Sequence, residues 1–445
     1  MKLFVQTYGC QMNQLDSDRI IHLMKQMDYE LTERADEADL IILNTCSVRD
    51  KAEQKVYSAL GRWRPLKEKH GTLLGVGGCV AQQEGERLLG RVPHLDFVFG
   101  THNIQKLPKL VSDARDRQAR AAEVDFYRDA SYLEDPTGLP EVHGPKAFVT
   151  IMQGCNKVCS FCIVPRTRGR EVSRPSDNIV REVKTLVRRG VKEVMLLGQN
   201  VNSYGLSNPD DVSFPGLLEK INDVEGLERI RFTTSHPQDL SPELVEAFAN
   251  LEKLCEHLHL PLQSGSDTVL RRMRRGYDKS QYLERISRLR ERCPDIALST
   301  DIIVGFPGES DAEFEDTLAI TADIDYDDMF AFTYSPRPRT IAAKLHPDDV
   351  GDEIKKERLR RLHELQDEIS LRKNLSLIGQ EHEILVEGPS RLGNGQLMGR
   401  TRTNRIVNIP SVSEIATADL ATVRLVHASP NSLIGELSAT EGVRQ

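Results

Sequence analysis

The 445-residue sequence has no long hydrophobic run. Its longest apolar stretches, such as "LIIL" at 40–43, are the size of a strand, whereas a membrane span needs about 20 apolar residues. The opening "MKLFVQTYGC" holds one lysine and three apolar residues after Met1, too few for the hydrophobic region of a signal peptide. The expectation is a chain with no membrane segment, in the cytoplasm. No complete G-x-G-x-x-G is present, so "GVGGC" at 75–79 is a weak dinucleotide fingerprint. Positive charge is also short. With 59 Lys and Arg against 67 Asp and Glu the net charge is −8, which argues weakly against a nucleic-acid partner.

Local charge argues the other way. "RTRGREVSR" at 166–174 carries four arginines and one glutamate, and "RRMRR" at 271–275 and "KKERLRR" at 355–361 are basic too. Such runs are ordinarily solvated helix faces. Three of them, with the terminal barrel described below, point to RNA. The composition is otherwise that of a soluble globular protein, with 39% hydrophobic and 28% charged residues. The length suits about three domains of ~150 residues. In a reducing compartment the eight cysteines read as metal ligands or catalytic groups before disulfides.

Residues 1–115 alternate short apolar runs with helical patterns. "KLFVQ" (2–6), "DLIIL" (39–43), "TLLGV" (72–76) and "LDFVF" (95–99) suit buried parallel strands, which predicts an open flavodoxin-like α/β sheet. Residues 116–143 show no clear period and read as a linker. Residues 144–374 alternate again through six strand candidates: 147–154, 193–198, 229–234, 257–262, 298–306 and 329–335. Between the first two, "DNIVREVKTLVRRG" predicts a helix capped by Asp177 and stopped by Gly190. This predicts a partial (β/α)6 barrel, whose active site lies at the C-terminal strand ends. After one amphipathic helix at 353–373, residues 376–441 hold five short strands separated by Gly, Pro and Asn. They predict a small all-β barrel of OB-like type.

Cys155, Cys159 and Cys162 have the spacing C-x3-C-x2-C, directly after a predicted strand. Thiolates select zinc, copper(I) or iron–sulfur clusters. Structural zinc wants a fourth Cys or His, and none follows within twenty residues; the next histidine is His236. A three-cysteine [4Fe–4S] cluster instead leaves one iron open. Zinc or a redox motif is the plainer alternative. Cys10, Cys46 and Cys79 lie 36 and 33 residues apart, each a few residues past a predicted strand. Taken singly, each is a small buried residue. If their strands are neighbours, ~4.8 Å apart, the three thiols converge on one sheet edge, and the glycines of "GVGGC" allow close backbone approach. Cys255 and Cys293 lack partners and read as structural.

The C-x3-C-x2-C loop, with Phe161 inside it, resembles the radical S-adenosylmethionine (SAM) superfamily. With "TYGCQMN", "NTCSVRDKAE", "GCVAQ", "GCNKVCSFCIVPRTRGREVSRP", "LLGQNVNSYG", "HLPLQSGSD", "DIIVGFPGE" and "YSPRP", the whole chain resembles the radical SAM methylthiotransferase family, whose C-terminal module is an RNA-binding TRAM domain. The resemblance implies that Cys155, Cys159 and Cys162 hold the cluster that binds SAM and generates a 5′-deoxyadenosyl radical. It implies that Cys10, Cys46 and Cys79 hold a second [4Fe–4S] cluster carrying the sulfur. One SAM is the methyl donor and another the radical source. Candidate SAM contacts at strand ends are Gln199, Asn200, Ser235, Gln263 and Asp301, residues that turn and capping chemistry also explains.

"TRGREVSRP", "GQNVNSYG" and "GRTRTNRIVNI" point within the family to methylthiolation at carbon 2 of N(6)-dimethylallyladenosine, beside the anticodon in a tRNA stem-loop. Relatives acting on threonylcarbamoyladenosine or on a ribosomal protein are the alternatives, since all share both cysteine sets. A non-enzymatic iron–sulfur RNA-binding regulator is the reading from another class. The partners implied are tRNA, an electron donor and a sulfur source, and a monomer suffices. One departure stands in "SPRPRTIAA" (335–343): Arg339 occupies the place of an expected glycine.

Overall fold

The N-terminal sheet runs in the order β2-β1-β3-β4-β5-β6, all parallel, with β1 at Lys2–Tyr8, β2 at Glu30–Leu31, β3 at Leu40–Thr45, β4 at Leu73–Gly78, β5 at Phe97–Phe99 and β6 at Ala121–Glu123. Its first five strands have the 2-1-3-4-5 order of flavodoxin, as the alternating pattern predicts. The computed structural model describes residues 1–47, 52–133, 138–208, 210–390, 393, 395–412 and 415–438. Residues 48–51 of "NTCSVRDKAE", 134–137 of the expected linker and 439–441 of the last expected domain lie outside the described residues. The strand β6 falls within the stretch read as linker. Three residues are too few to register as a period, and their place comes from pairing with β5.

Leu40 to Leu43 are fully buried because a central parallel strand is covered by helices on both faces. The glycines of β4 serve packing. The ring of Phe97 lies where a Cβ on Gly75 would sit, and Phe99 does the same at Gly77. These are cross-strand pairs of β4 and β5, in which an aromatic ring covers the bare backbone. Only Gly78, next to Cys79, has a conformation that excludes a side chain, with φ of +88° and Thr45 O 2.4 Å from an added Cβ.

The second body holds six parallel strands in two sheets. The first, in order β11-β10-β7, joins β7 (Lys146–Thr150), β10 (Glu193–Leu197) and β11 (Arg229–Thr233). The second, in order β12-β13-β14, joins β12 (His257–His259), β13 (Ala297–Val304) and β14 (Asp328–Thr333). A parallel bridge from Ile230 to Leu254 bonds β11 to the residues before β12. Leu258, Leu298, Ile302 and Val304 face the helices in one large core, so the intervening residues face the lumen. A short hairpin, β8 (Met152–Gln153) with β9 (Val172–Ser173), closes the base of the cysteine loop. The helix after it spans Ser176–Arg188 with Pro175 at its N-cap. Asp177 is thus one residue inside, where its charge suits the helix dipole, and the Ser176 N–H is held by Asp211 at 2.7 Å. Gly190, at φ +93°, ends the helix region as predicted.

The third body is a closed barrel, β15-β16-β17-β19-β18, formed by β15 (Glu381–Pro389), β16 (Gln396–Thr401), β17 (Ile406–Pro410), β18 (Leu420–Ala428) and β19 (Leu433–Leu437). The long helix Asp352–Leu375 leads into it. Arg339 adopts φ of +68°, so the chain keeps the left-handed turn that a glycine would take there.

Candidate cofactor and active site

Strand register brings the first cysteine trio together. Tyr8 pairs with Thr45 and Thr45 with Gly78, which are the last residues of β1, β3 and β4. Cys46 and Cys79 follow immediately and Cys10 follows after Gly9, and Cys46 N–H bonds Tyr8 O at 2.8 Å. Cys10 is the N-cap of the helix Gln11–Lys25, and its sulfur lies 3.4 Å from Asn13 Oδ1. The Cys46 thiol keeps its proton, pushed up first by hydrogen bonding toward the neighbouring Cys10 and Cys79 sulfurs and then by burial. Cys10 and Cys79 are pulled down, to about 5 and about 6, first by the bond from Cys46 and, against the cost of burial, by the charge of Arg168. This set leans toward thiolate, the form that binds metal.

The second trio lies in the loop after β8. Gly154, at φ +84°, has Arg170 O 2.0 Å from where a Cβ would sit, so only glycine lets strand and strap approach here. Cys155 N–H bonds Gly169 O at 3.1 Å and Cys162 N–H bonds Cys159 O at 3.1 Å. Ser160 anchors the loop to the 271–275 turn, through its N–H to Met273 O and its hydroxyl to Arg272 O, both at 2.8 Å. Phe161 packs against Val269, Met273, Phe306 and Tyr334. Arg275 Nη1 reaches Cys159 Sγ at 3.2 Å. Burial pushes the Cys155 thiol up to about 11 and Cys162 up to about 12.

Around this loop the strand ends converge. Gln199 Oε1 accepts from Gly154 N–H at 2.5 Å. Asn200 Nδ2 donates to Asp239 at 2.7 Å, and Asp239 pairs with Lys157 at 2.8 Å. Ser235 follows β11, and among the described residues its buried hydroxyl has no hydrogen-bond partner; neither has Asn200 Oδ1. His236 is held by reciprocal bonds with Asn202, both 2.9 Å. Its Nδ1 accepts from Gln238 N–H at 3.3 Å, which puts the ring proton on Nε2, a buried atom with no partner among the described residues. Burial pushes this ring down to about 2, so it is neutral. Gln263 sits at φ +77°, bridged through its backbone to Asp301 and Ile303. Asp301 lies on the lumen face of β13, 3.5 Å from His259 Nε2. Thus Gln199, Asn200 and Ser235 gather near the cysteine loop, while Gln263 and Asp301 share a bridge on the second sheet.

Among the described residues, no group of three or more His, Cys, Asp and Glu side chains is laid out to hold one metal ion. Both trios fit a larger group by their donor chemistry. Each offers three soft sulfurs, with a buried guanidinium beside it to offset thiolate charge. The partnerless polar atoms of Asn200, Ser235 and His236 fit a polar ligand, because buried polar groups ordinarily have partners.

Three family descriptions match the chain: "Uncharacterized protein family UPF0004" over residues 2–100, "Radical SAM superfamily" over 149–320 and "TRAM domain" over 375–438. Among curated relatives, the tRNA-2-methylthio-N(6)-dimethylallyladenosine synthase of Geobacter metallireducens is 52% identical over 98% of this chain and 98% of its own. That of Moorella thermoacetica is 50% identical over 97% of each. The chain belongs to the tRNA-2-methylthio-N(6)-dimethylallyladenosine synthase family. Among solved structures, the radical SAM methyltransferase TsrM from Kitasatospora setae matches with a TM-score of 0.56 at 13% identity, covering 77% of this chain and 75% of that one. At that identity the likeness shows the fold alone.

Within this family framework, several residues of the site carry no signal in the sequence. Arg168 and Arg275 sit in basic runs read as RNA-facing, yet both are buried against the cysteine trios. Part of each run is held by acidic partners within the protein: Arg174 pairs with Glu182, Arg272 with Glu313, Arg358 with Glu309 and Lys355 with Asp348. Arg166, Arg170, Arg271 and Arg274 remain exposed, flanking the cysteine loop. At the opposite end of the barrel, Arg229 and Arg231 are 1% and 2% exposed because they grip the TRAM domain. Arg229 Nη1 bonds Arg400 O at 2.7 Å, and Arg231 bonds Thr401 O and Arg402 O at 2.7 Å each, with Glu193 3.0 Å away. Strand alternation in "RIRF" marks these arginines as inward-facing, although only a docked domain explains the charge.

Proposed function

We propose that the protein methylthiolates carbon 2 of N(6)-dimethylallyladenosine beside the anticodon of tRNA, using two [4Fe–4S] clusters and SAM. The carrying observation is the pair of three-cysteine sets at C-terminal strand ends of two parallel-sheet bodies, joined by the one strap that follows Cys162. Cys155, Cys159 and Cys162 would hold the cluster that binds SAM, and Cys10, Cys46 and Cys79 the cluster that carries sulfur. When bound, these groups supply a carbon-centred radical and a transferable methylthio sulfur, chemistry beyond any side-chain acid or base.

The chain's own residues position and enclose. Arg275 donates to Cys159, which is itself buried, and holds that part of the loop in place. Asn200, Ser235 and His236 offer a neutral donor and acceptor set for SAM beside the loop, with Gln199 fixing the loop's entry. Lumen-facing Phe330 and Phe332 on the edge strand β14 are about half exposed, at 50% and 48%. Phe330 meets His259 edge-on at 5.9 Å. Rings presented there can stack an extruded base, a contact worth about 1–3 kcal/mol. The exposed arginines at the barrel mouth receive phosphates. An external one-electron donor and a sulfur source complete the cycle, in the cytoplasm where tRNA resides, and a monomer carries every group used.

The test is metal content after anaerobic reconstitution. Two cubanes give about eight irons per chain, and changing Cys155, Cys159 and Cys162 to alanine should remove about half. Zinc as the dominant metal, or unchanged iron in that variant, contradicts the reading.

A further inference from the structure

The residues between the two cysteine sets form a strap, and one residue in it touches both sides. Arg168 comes from the segment after Cys162, yet its side chain lies in the N-terminal domain. Its Nη2 bonds Asp16 Oδ2 at 2.7 Å, with the two side chains 3% and 4% exposed. Its Nη1 reaches Gln153 Oε1 at 3.3 Å. The guanidinium charge also lies within electrostatic reach of the Cys79 and Cys10 sulfurs. The strap backbone is tied on both sides as well. Thr167 O accepts from Thr101 Oγ1 at 2.7 Å and Arg168 O contacts His102 Nε2 at 3.0 Å, both from the N-terminal domain. Gly169 O accepts from Cys155 N–H.

We propose that Arg168 is a positioning residue that couples the two cysteine sets, its guanidinium setting the charge around Cys10, Cys46 and Cys79 while its own strap fixes Cys155. This rests on the reading that the N-terminal trio carries a cluster. Potentials of iron–sulfur clusters follow net charge and hydrogen bonds to sulfur. Reduction adds an electron, so a cation beside the ligands favours the reduced form, and a carboxylate beside that cation opposes it. Arg168 and Asp16 are buried together, where charges are weakly screened. Their removal therefore has opposite signs. R168Q removes the cation, and D16N leaves it uncompensated. A residue that only props up the interface gives no such opposition.

The experiment is a potentiometric titration followed by electron paramagnetic resonance. The full chain with Cys155, Cys159 and Cys162 changed to alanine serves as parent, so that only the N-terminal cluster is seen, and the reductant in the titration supplies the electron. R168Q should shift the potential negative and D16N positive. Each shift should be at least tenfold in the reduction equilibrium, about 59 mV for one electron. The double variant should fall between them, and R168K, which keeps the charge, should stay nearer the parent than R168Q. D16N retains the whole Arg168 side chain and tests the sign even if R168Q does not fold. Shifts of the same sign, or none in D16N, overturn the inference. A parent that binds no iron overturns the cluster reading itself, and this inference with it.

Discussion

Arg275 Nη1 stands 3.2 Å from the sulfur of Cys159, and the same guanidinium holds Pro261 O at 2.9 Å and Tyr277 Oη at 3.0 Å. A charged donor is thus fixed on one thiol of the C-x3-C-x2-C loop by groups at the end of another strand. R275M removes that donor and leaves Pro261 O to its longer bond from Tyr277 Oη at 3.2 Å, a cost of about 1–3 kcal/mol for the lost charged hydrogen bonds. The expected outcome is a folded protein with lowered Tm, whose reductive SAM cleavage falls at least tenfold. Iron bound by the N-terminal set should be unaffected. Unchanged 5′-deoxyadenosine formation in R275M would remove Arg275 from the site.

The two trios should differ as bare thiols. Hydrogen bonding from Cys46 pulls Cys10 down to about 5, while burial pushes Cys155 up to about 11. Alkylation follows the thiolate fraction, discounted by the lower nucleophilicity of acidic thiols. In metal-free protein at pH 7, Cys10 should react with iodoacetamide roughly tenfold faster than Cys155. Its rate should hold as pH falls to about 5 and drop below that, as the thiolate takes up a proton. Cys155 should instead gain rate steadily as pH rises toward 11. Peptide mass spectrometry against pH reads both profiles, and equal rates at pH 7 would contradict the assigned hydrogen-bond pattern.

Arg339 holds a left-handed backbone without being glycine. That conformation costs about 1–2 kcal/mol for a residue with a Cβ, partly offset by the lower unfolded-state entropy such a residue brings. R339G should therefore stabilise the protein by about 0.5–1 kcal/mol, read as a raised urea midpoint with an unchanged slope. Destabilisation would mean that the exposed Arg339 side chain carries a contact of its own.

The period of apolar residues and the position of each cysteine after a strand made both sheets and both trios readable. Register does the rest, since Tyr8, Thr45 and Gly78 are aligned neighbours. Charge was less readable. An arginine in "RRMRR" looks the same whether it meets phosphate or, like Arg275, a buried sulfur. The difference is set by which residues fold over it, a long-range property absent from any local window. The same holds for Arg229 and Arg231, buried only because another domain supplies carbonyls. Phe330 and Phe332 fall in a predicted strand, but the sequence does not show that the open edge of β14 leaves them exposed.

The central claim is that the two cysteine sets perform separable half-reactions. The direct measurement is anaerobic turnover with isopentenylated tRNA, quantifying 5′-deoxyadenosine and methylthiolated nucleoside together. With Cys10, Cys46 and Cys79 changed to alanine, SAM cleavage should persist and no methylthio product should form. With Cys155, Cys159 and Cys162 changed to alanine, both products should vanish. Methylthio product from the first variant would contradict the account, returning the N-terminal trio to three small residues at a sheet edge.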